Sequence, residues 1–204
     1  MKNKIKNFTA VALIILSLIL CACQNAENDI APTYDENGKY IGFSDIPDGY
    51  TAEEAIADGC LVIDTVKTGV NEYGVTLYET PTTEGYDEWL EFIDRSDDGK
   101  DAFLRVAHYI EGVGYYRDLY YKDGKYTIFD CNEYGVSEGE TFTYLRSLDG
   151  YVGPVGSQKE DCYYVLTDSL ELTYEDVSWS YLSSDHNSVT KIPFVWLSFM
   201  IYFE

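Results

Sequence analysis

The sequence predicts an α+β fold, in which an antiparallel β-sheet, a meander of about five strands, carries one or two short covering helices. Apolar and polar residues alternate along residues 101–131, which is typical of strands with one face on a core. Two tight-turn sequences interrupt this stretch, and two short amphipathic segments precede it. Together these observations favour a sheet that is covered by helices.

The stretch is predicted to form three successive strands, at 102–110, 115–122 and 126–131. Glycines permit a turn at 111–114, and Asp123-Gly124 is a strong signal for a two-residue hairpin turn. With tight turns, one mostly apolar face is expected to point to the core: Leu104, Val106, Ile110, Tyr115, Leu119, Tyr121, Tyr126 and Ile128. The other face is expected to contact solvent in part: Arg105, Tyr109, Tyr116, Asp118, Tyr120 and Lys122.

Two helices and one strand are predicted before the meander. Thr51 and Glu54 match a capping box, so a short helix is expected to begin there and to end at Gly59. An apolar strand follows at 60–66. A second helix is predicted at 86–94, because its apolar residues recur at helical spacing.

Further strands are predicted after the meander, at 141–148 and 162–166. The tail, residues 191–203, is apolar and aromatic, and it is too short to span a bilayer well. It is expected to form either a last strand or a helix docked on the core. Pro193 and the aromatic residues favour the strand.

The composition limits the classes of partner. The chain has 204 residues, a length that fits one domain with attachments. Its formal net charge is −22 at pH 7. An acidic chain lacks the basic surface that nucleic-acid binding needs, so no nucleic-acid partner is expected. Hydrophobic residues make up 46% of the chain, enough for a packed core.

The N-terminus carries the pattern of an exported protein. Lys2, Lys4 and Lys6 precede an apolar stretch at 8–20 that is too short for a membrane span. The following Leu20-Cys21-Ala22-Cys23 resembles a bacterial lipobox, which implies cleavage before Cys23 and attachment of lipid to Cys23. An ordinary secretory signal is the alternative. The predicted division is therefore a lipoprotein signal peptide (1–22), a polar tether (23–49), an α+β lipoprotein domain (50–175) and a C-terminal extension (176–204).

Three segments carry a further resemblance: TAEEAIADGCLVID, EWLEFIDR and LRVAHYIEGVGYYRDLYYKDGKYTIFD. In this order they resemble a family of small lipoproteins, found mainly in Gram-positive bacteria, that is classed as a domain of unknown function. The resemblance spans about residues 51–166. It implies an extracytoplasmic, membrane-tethered α+β domain, and it implies no activity.

Three cysteines remain outside the lipobox. Because the expected compartment is oxidising, one disulfide is predicted, and Cys131–Cys162 is favoured over pairings with Cys60. A catalytic cysteine would need a basic partner. The two histidines, His108 and His186, lie in no recognisable nucleophile motif, so no catalytic residue is assigned.

The predicted sheet brings three polar residues together. Its register places His108 opposite Arg117, and Arg117 opposite Asp130. One interpretation is a polar pocket, in which Arg117 binds an anion and His108 moves a proton. The other is a structural ion pair beside a hydrogen-bonded histidine, which is the commoner arrangement in folded proteins.

No metal or cofactor is predicted. The acidic run 94–99 imitates the start of a calcium-binding EF-hand loop, but position 12 of that loop would be Arg105 instead of the required glutamate. The cysteine and histidine spacings fit no zinc site, and no glycine-rich loop matches a phosphate cradle.

These observations predict a lipid-anchored protein on the extracytoplasmic face of the cell membrane. Its expected role is that of a binding or interaction module for a protein, a peptide or a cell-wall component. The alternative is a small cell-envelope hydrolase or transferase that uses His108, Arg117 and Asp130. The sequence favours the binding module, because no nucleophile–base pair is recognisable in it.

Overall fold

The computed structural model describes residues 32–79, 81–132, 134–182 and 189–199. Within these ranges the chain forms twelve strands, three α-helices and a 3-10 helix at Gly42–Asp45. The helices are α1 (Ala52–Ala57), α2 (Tyr86–Asp97) and α3 (Tyr174–Leu182). The strands are β1 (Leu61–Thr65), β2 (Lys67–Val70), β3 (Thr76–Tyr78), β4 (Thr82–Glu84), β5 (Ala102–Ile110), β6 (Val113–Lys122), β7 (Lys125–Asn132), β8 (Gly135–Val136), β9 (Glu140–Phe142), β10 (Tyr144–Val152), β11 (Lys159–Thr167) and β12 (Phe194–Trp196).

The main sheet has seven strands and is mixed. Its order is β4-β1-β5-β6-β7-β8, and β9 also pairs with β7. Strand β1 runs parallel to β5, and the other neighbours are antiparallel. The predicted α+β class with an antiparallel meander is therefore wrong, because the described structure is mostly β and has two further small sheets. The parallel pair is possible because residues 66–101, which include α2, form the long crossover that parallel strands need.

The capping box and the second hairpin turn are confirmed. The Thr51 side chain accepts a hydrogen bond from the Glu54 backbone N–H, and the Glu54 carboxylate accepts one from the Thr51 N–H. Asp123 and Gly124 have φ values of 51° and 76°, and a two-residue type I′ turn needs this left-handed conformation at both positions. This turn sets the register between β6 and β7.

The first hairpin turn is shorter than the predicted turn at 111–114. It consists of residues 111–112 alone, which have φ values of 53° and 78°. His108 consequently pairs with Tyr115, and the predicted pairing of His108 with Arg117 is wrong. The correction is a slip of two residues, so each side chain stays on its predicted face.

The predicted core face of the meander is confirmed. Leu104, Leu119 and Ile128 are buried in one cluster. Helix α2 covers this cluster with Trp89 and Phe92, both of which are fully buried. The other main cover is the sheet β10-β11-β12, whose central strand directs Leu166 into the same core.

The opposite face of the meander was expected to contact solvent in part, and this expectation is wrong for three of its six residues. Tyr109 is 2% exposed, Asp118 0% and Tyr120 5%. Helix α1 packs on this face through Ala55, which is fully buried. The segment before α1 covers Asp118 and Tyr120. The local pattern showed polar and aromatic residues here, but it could not show that the chain returns to cover them.

A buried ion pair fixes the preceding segment to this face. Arg105 donates two hydrogen bonds to Asp118, from Nε to Oδ1 at 2.7 Å and from Nη2 to Oδ2 at 2.8 Å. The same guanidinium donates to Asp45 and to the Gly42 carbonyl, both at 3.0 Å. The Tyr40 hydroxyl donates to Asp118 at 2.7 Å. Tyr40, Asp45 and the Gly42 carbonyl thereby complete the hydrogen bonding of the buried pair.

Part of the predicted tether therefore belongs to the folded domain. The Tyr40 ring is buried and stacks on Phe129, with ring centroids 3.8 Å apart and planes 9° apart. Phe43 is also buried in this cluster. The predicted signal peptide (1–22) and lipidation site Cys23 lie outside the described residues.

The C-terminal region packs in the same body. Strand β12 pairs with β11, which confirms the strand predicted in the apolar tail. Helix α3 covers one face of this small sheet with Val177, and Leu197 enters the main core from the other side. In the part of the chain that the structure describes, no helix has the length and apolar character needed to cross a bilayer.

We expect Asp118→Ala to lower the free energy of unfolding by about 3–5 kcal/mol, because it leaves Arg105 charged and buried without its partner. Urea unfolding of the full chain measures the change. The matched control is Lys100→Ala, which removes an exposed ion pair with Asp98 and should cost at most about 1 kcal/mol. Equal losses in the two variants would contradict the structural role of the buried pair.

Candidate functional site

The three predicted polar residues line one cavity. The cavity has a volume of about 190 Å³ and lies on the core side of the main sheet. Strands β5, β6 and β7 supply most of its wall, and the chain after β12 supplies the rest. The lining residues are Val106, His108, Tyr115, Tyr116, Arg117, Asp130, Ser198 and Phe199.

Arg117 and Asp130 form the charged part of the wall. They are direct neighbours on β6 and β7, as predicted, and Arg117 Nε donates to Asp130 Oδ1 at 2.5 Å. Their side chains are 25% and 40% exposed. The Ser137 hydroxyl accepts a hydrogen bond from the Asp130 backbone N–H at 2.9 Å, which fixes the end of β7. The pair is therefore well placed but open to a ligand.

His108 forms the neutral part of the wall. Its Nε2 lies 3.2 Å from the Thr65 hydroxyl oxygen, on the neighbouring strand β1. Burial lowers the pKa of His108 below its usual value, and the negative charge of Asp64 opposes this shift only in part. At neutral pH the imidazole is thus uncharged, with one nitrogen as a donor and the other as an acceptor.

The geometry suits binding better than nucleophilic catalysis. A hydroxyl nucleophile needs a histidine base that a third group orients, usually a carboxylate. Asp130, the carboxylate of the cavity wall, is bound to Arg117. The hydroxyl beside the imidazole belongs to Thr65, which is not among the lining residues.

The predicted disulfide between Cys131 and Cys162 is not formed in the structure, where both are thiols. The two cysteines lie on β7 and β11, in different sheets. Cys131 packs against the apolar cluster around Phe129, and burial raises the pKa of its thiol. Cys162 Sγ lies 3.2 Å from the Ser147 hydroxyl oxygen on β10. The two sulfur atoms therefore lie in different surroundings and are not bonded to each other.

A second depression lies beside the β10–β11 hairpin. It has a volume of about 490 Å³, and Asp149, Glu160 and Asp161 contribute to its wall. Among the described residues, however, no group of three or more acidic, cysteine or histidine side chains is arranged to hold a metal ion. Asp161 accepts a hydrogen bond from the Tyr174 hydroxyl, which gives it a structural role.

Sequence reasoning identified His108, Arg117 and Asp130 but missed Ser198 and Phe199. Alternation along neighbouring strands was sufficient for the first three. The other two reach the cavity from the far end of the chain, and a local pattern contains no signal for such a contact. No known protein family, curated protein or solved structure matches this chain. The resemblance to small bacterial lipoproteins therefore stays a prediction.

We expect acid to destabilise the folded chain partly through His108. Its pKa lies below the value of 6.5 that is usual for histidine, so below about that pH the unfolded chain binds a proton that the folded chain resists. Stability is consequently lost as the pH falls from 6.5. Urea unfolding at pH 7.5 and pH 5 should show a smaller loss for His108→Gln than for the unaltered chain, and an equal loss would contradict the shift.

Proposed function

We propose that this chain is a lipid-anchored protein of the extracytoplasmic face that acts as a binding module, with the cavity around Arg117 as its ligand site. One observation carries the binding proposal: a charged pair, a neutral imidazole and apolar side chains converge on one cavity beside the main sheet. Few polar groups in a partly apolar cavity are the usual composition of a small-ligand site.

The lipid anchor is supported by the sequence of the N-terminus. A charged start, an apolar stretch and the sequence before Cys23 match the requirements for export and lipidation. The acidic chain offers little electrostatic attraction to anionic lipids, so attachment to a membrane would depend on acyl chains.

We expect Cys23→Ala to release the protein from the membrane. The full chain is produced in a Gram-positive bacterium, and membrane and soluble fractions are compared, with mass spectrometry of the mature N-terminus. The unaltered chain should stay with the membrane and carry lipid on Cys23. Cys21→Ala is the matched control and should behave like the unaltered chain. Membrane attachment of Cys23→Ala equal to that of the control would refute the anchor.

We expect a ligand of the cavity to stabilise the folded chain. A thermal-shift screen tests wall fragments, sugars and short peptides, since a ligand that binds only the folded state adds about 2.7 kcal/mol at a hundred times its Kd. Arg117→Gln should abolish the shift. Lys159→Gln, which alters an exposed residue on β11, should retain it. A shift that survives Arg117→Gln would place the ligand elsewhere.

The alternative function, a small cell-envelope hydrolase or transferase, has less support. It would require His108 to act as a base on a nucleophile or water in the cavity. Among the described lining residues the carboxylate is that of Asp130, and it accepts a hydrogen bond from Arg117.

A further inference from the structure

The Arg117–Asp130 pair presents two opposite charges side by side to the cavity. Arg117 uses Nε for Asp130, and among the described residues no hydrogen bond engages its Nη atoms. Asp130 likewise accepts on Oδ1, and its Oδ2 accepts no hydrogen bond from the described residues. A guanidinium has five donors and a carboxylate about four acceptor positions, so both groups keep capacity for a ligand.

The buried pair on the other face of the sheet is a useful contrast. There Arg105 donates to two carboxylates and a carbonyl, and Asp118 also accepts from Tyr40. Those groups use most of their hydrogen-bonding positions within the protein, whereas Arg117 and Asp130 each use one. The pair that keeps most of its donor and acceptor positions is the one that lines the cavity.

Charge argues against a purely anionic ligand. The chain carries a net charge of −22, and Asp130 stands directly beside the only cationic side chain of the lining residues. An anion would be repelled by the net charge of the chain and by Asp130. A purely cationic ligand would be repelled by Arg117, which lies directly beside Asp130. A ligand with both charges pairs with each group and meets neither repulsion.

The rest of the wall limits the size and polarity of the ligand. Val106 and Phe199 are apolar and buried, and Tyr115 adds an aromatic ring. The volume of about 190 Å³ is below the range of roughly 300–1,000 Å³ that is usual for drug-sized molecules. The wall therefore suits a small molecule with a short apolar part.

We propose that this cavity binds a free α-amino acid with a small apolar side chain. The Arg117 Nη groups donate to the ligand carboxylate, Asp130 Oδ2 accepts from the ligand ammonium group, and the ligand side chain contacts Val106 and Phe199. This inference rests on the proposed binding function of the same cavity, and it names the chemical class of the ligand.

Isothermal titration calorimetry of the full chain with valine tests the proposal, with alanine and leucine as size variants. Two analogues each remove one charge: 3-methylbutanoate lacks the ammonium group, and valinamide lacks the carboxylate. We expect valine to bind and each analogue to bind at least roughly ten-fold more weakly, because each analogue lacks one of the two charges that would pair with Arg117 and Asp130. Binding of 3-methylbutanoate as tight as that of valine would overturn the inference.

Variants assign each charge to its residue. Asp130→Asn should weaken valine and valinamide but should not weaken 3-methylbutanoate. Arg117→Gln should weaken valine and 3-methylbutanoate but not valinamide, and Lys159→Gln should bind all three like the unaltered chain. Circular dichroism confirms that each variant folds, and if one does not, the analogue series on the unaltered chain decides.

Two negative outcomes are distinguishable. In the first, no amino acid binds at millimolar concentration, but the thermal-shift screen finds another ligand whose stabilising effect is lost in Arg117→Gln. The amino-acid inference is then wrong and the binding function stands. If the amino acids do not bind and no screened ligand depends on Arg117, both the inference and the proposed cavity function are wrong.

Discussion

The fully buried carboxylate of Asp118 is the constraint on which the rest of the fold depends. A charge removed from water is tolerated only when paired and hydrogen-bonded, and Arg105 and Tyr40 supply those bonds. The same Arg105 holds Gly42 and Asp45, so the segment before α1 is bound to the sheet. The central strands are thereby covered on both faces, which gives the cavity side a rigid support.

Arg117 and Asp118 are neighbours in β6, and alternation directs them to opposite faces of the sheet. Each has an opposite charge directly across the ladder, Asp130 for Arg117 and Arg105 for Asp118. Both pairs consist of an arginine and an aspartate, but their surroundings differ. One is enclosed and contributes to structure, and the other borders an open cavity and retains hydrogen-bonding capacity for a ligand.

Local patterns in the sequence predicted the core face, the capping box and the Asp123-Gly124 turn, because each depends on residues a few positions apart. The two glycines after Ile110 are compatible with turns of more than one length, so the predicted register between β5 and β6 was wrong by two residues. That error concealed the pairing of Arg105 with Asp118. Neither the parallel pairing of β1 nor the cover from residues 40–45 has a local signal, because both depend on distant contacts. The three polar site residues were predictable because they lie on strands that are adjacent both in sequence and in the sheet.

The buried contacts of residues 40–45 also make this segment dependent on strands that come much later in the chain. The chain emerges N-terminus first, so this segment is made before Arg105, Asp118 and Phe129, the groups on which it docks. Strands β5, β6 and β7 can form their local hairpins as soon as they are available, because their contacts are close in sequence. The segment that leads back towards the N-terminus can therefore dock only on strands that are already paired, and a meander without this segment exposes the aromatic face that carries Tyr120 and Phe129.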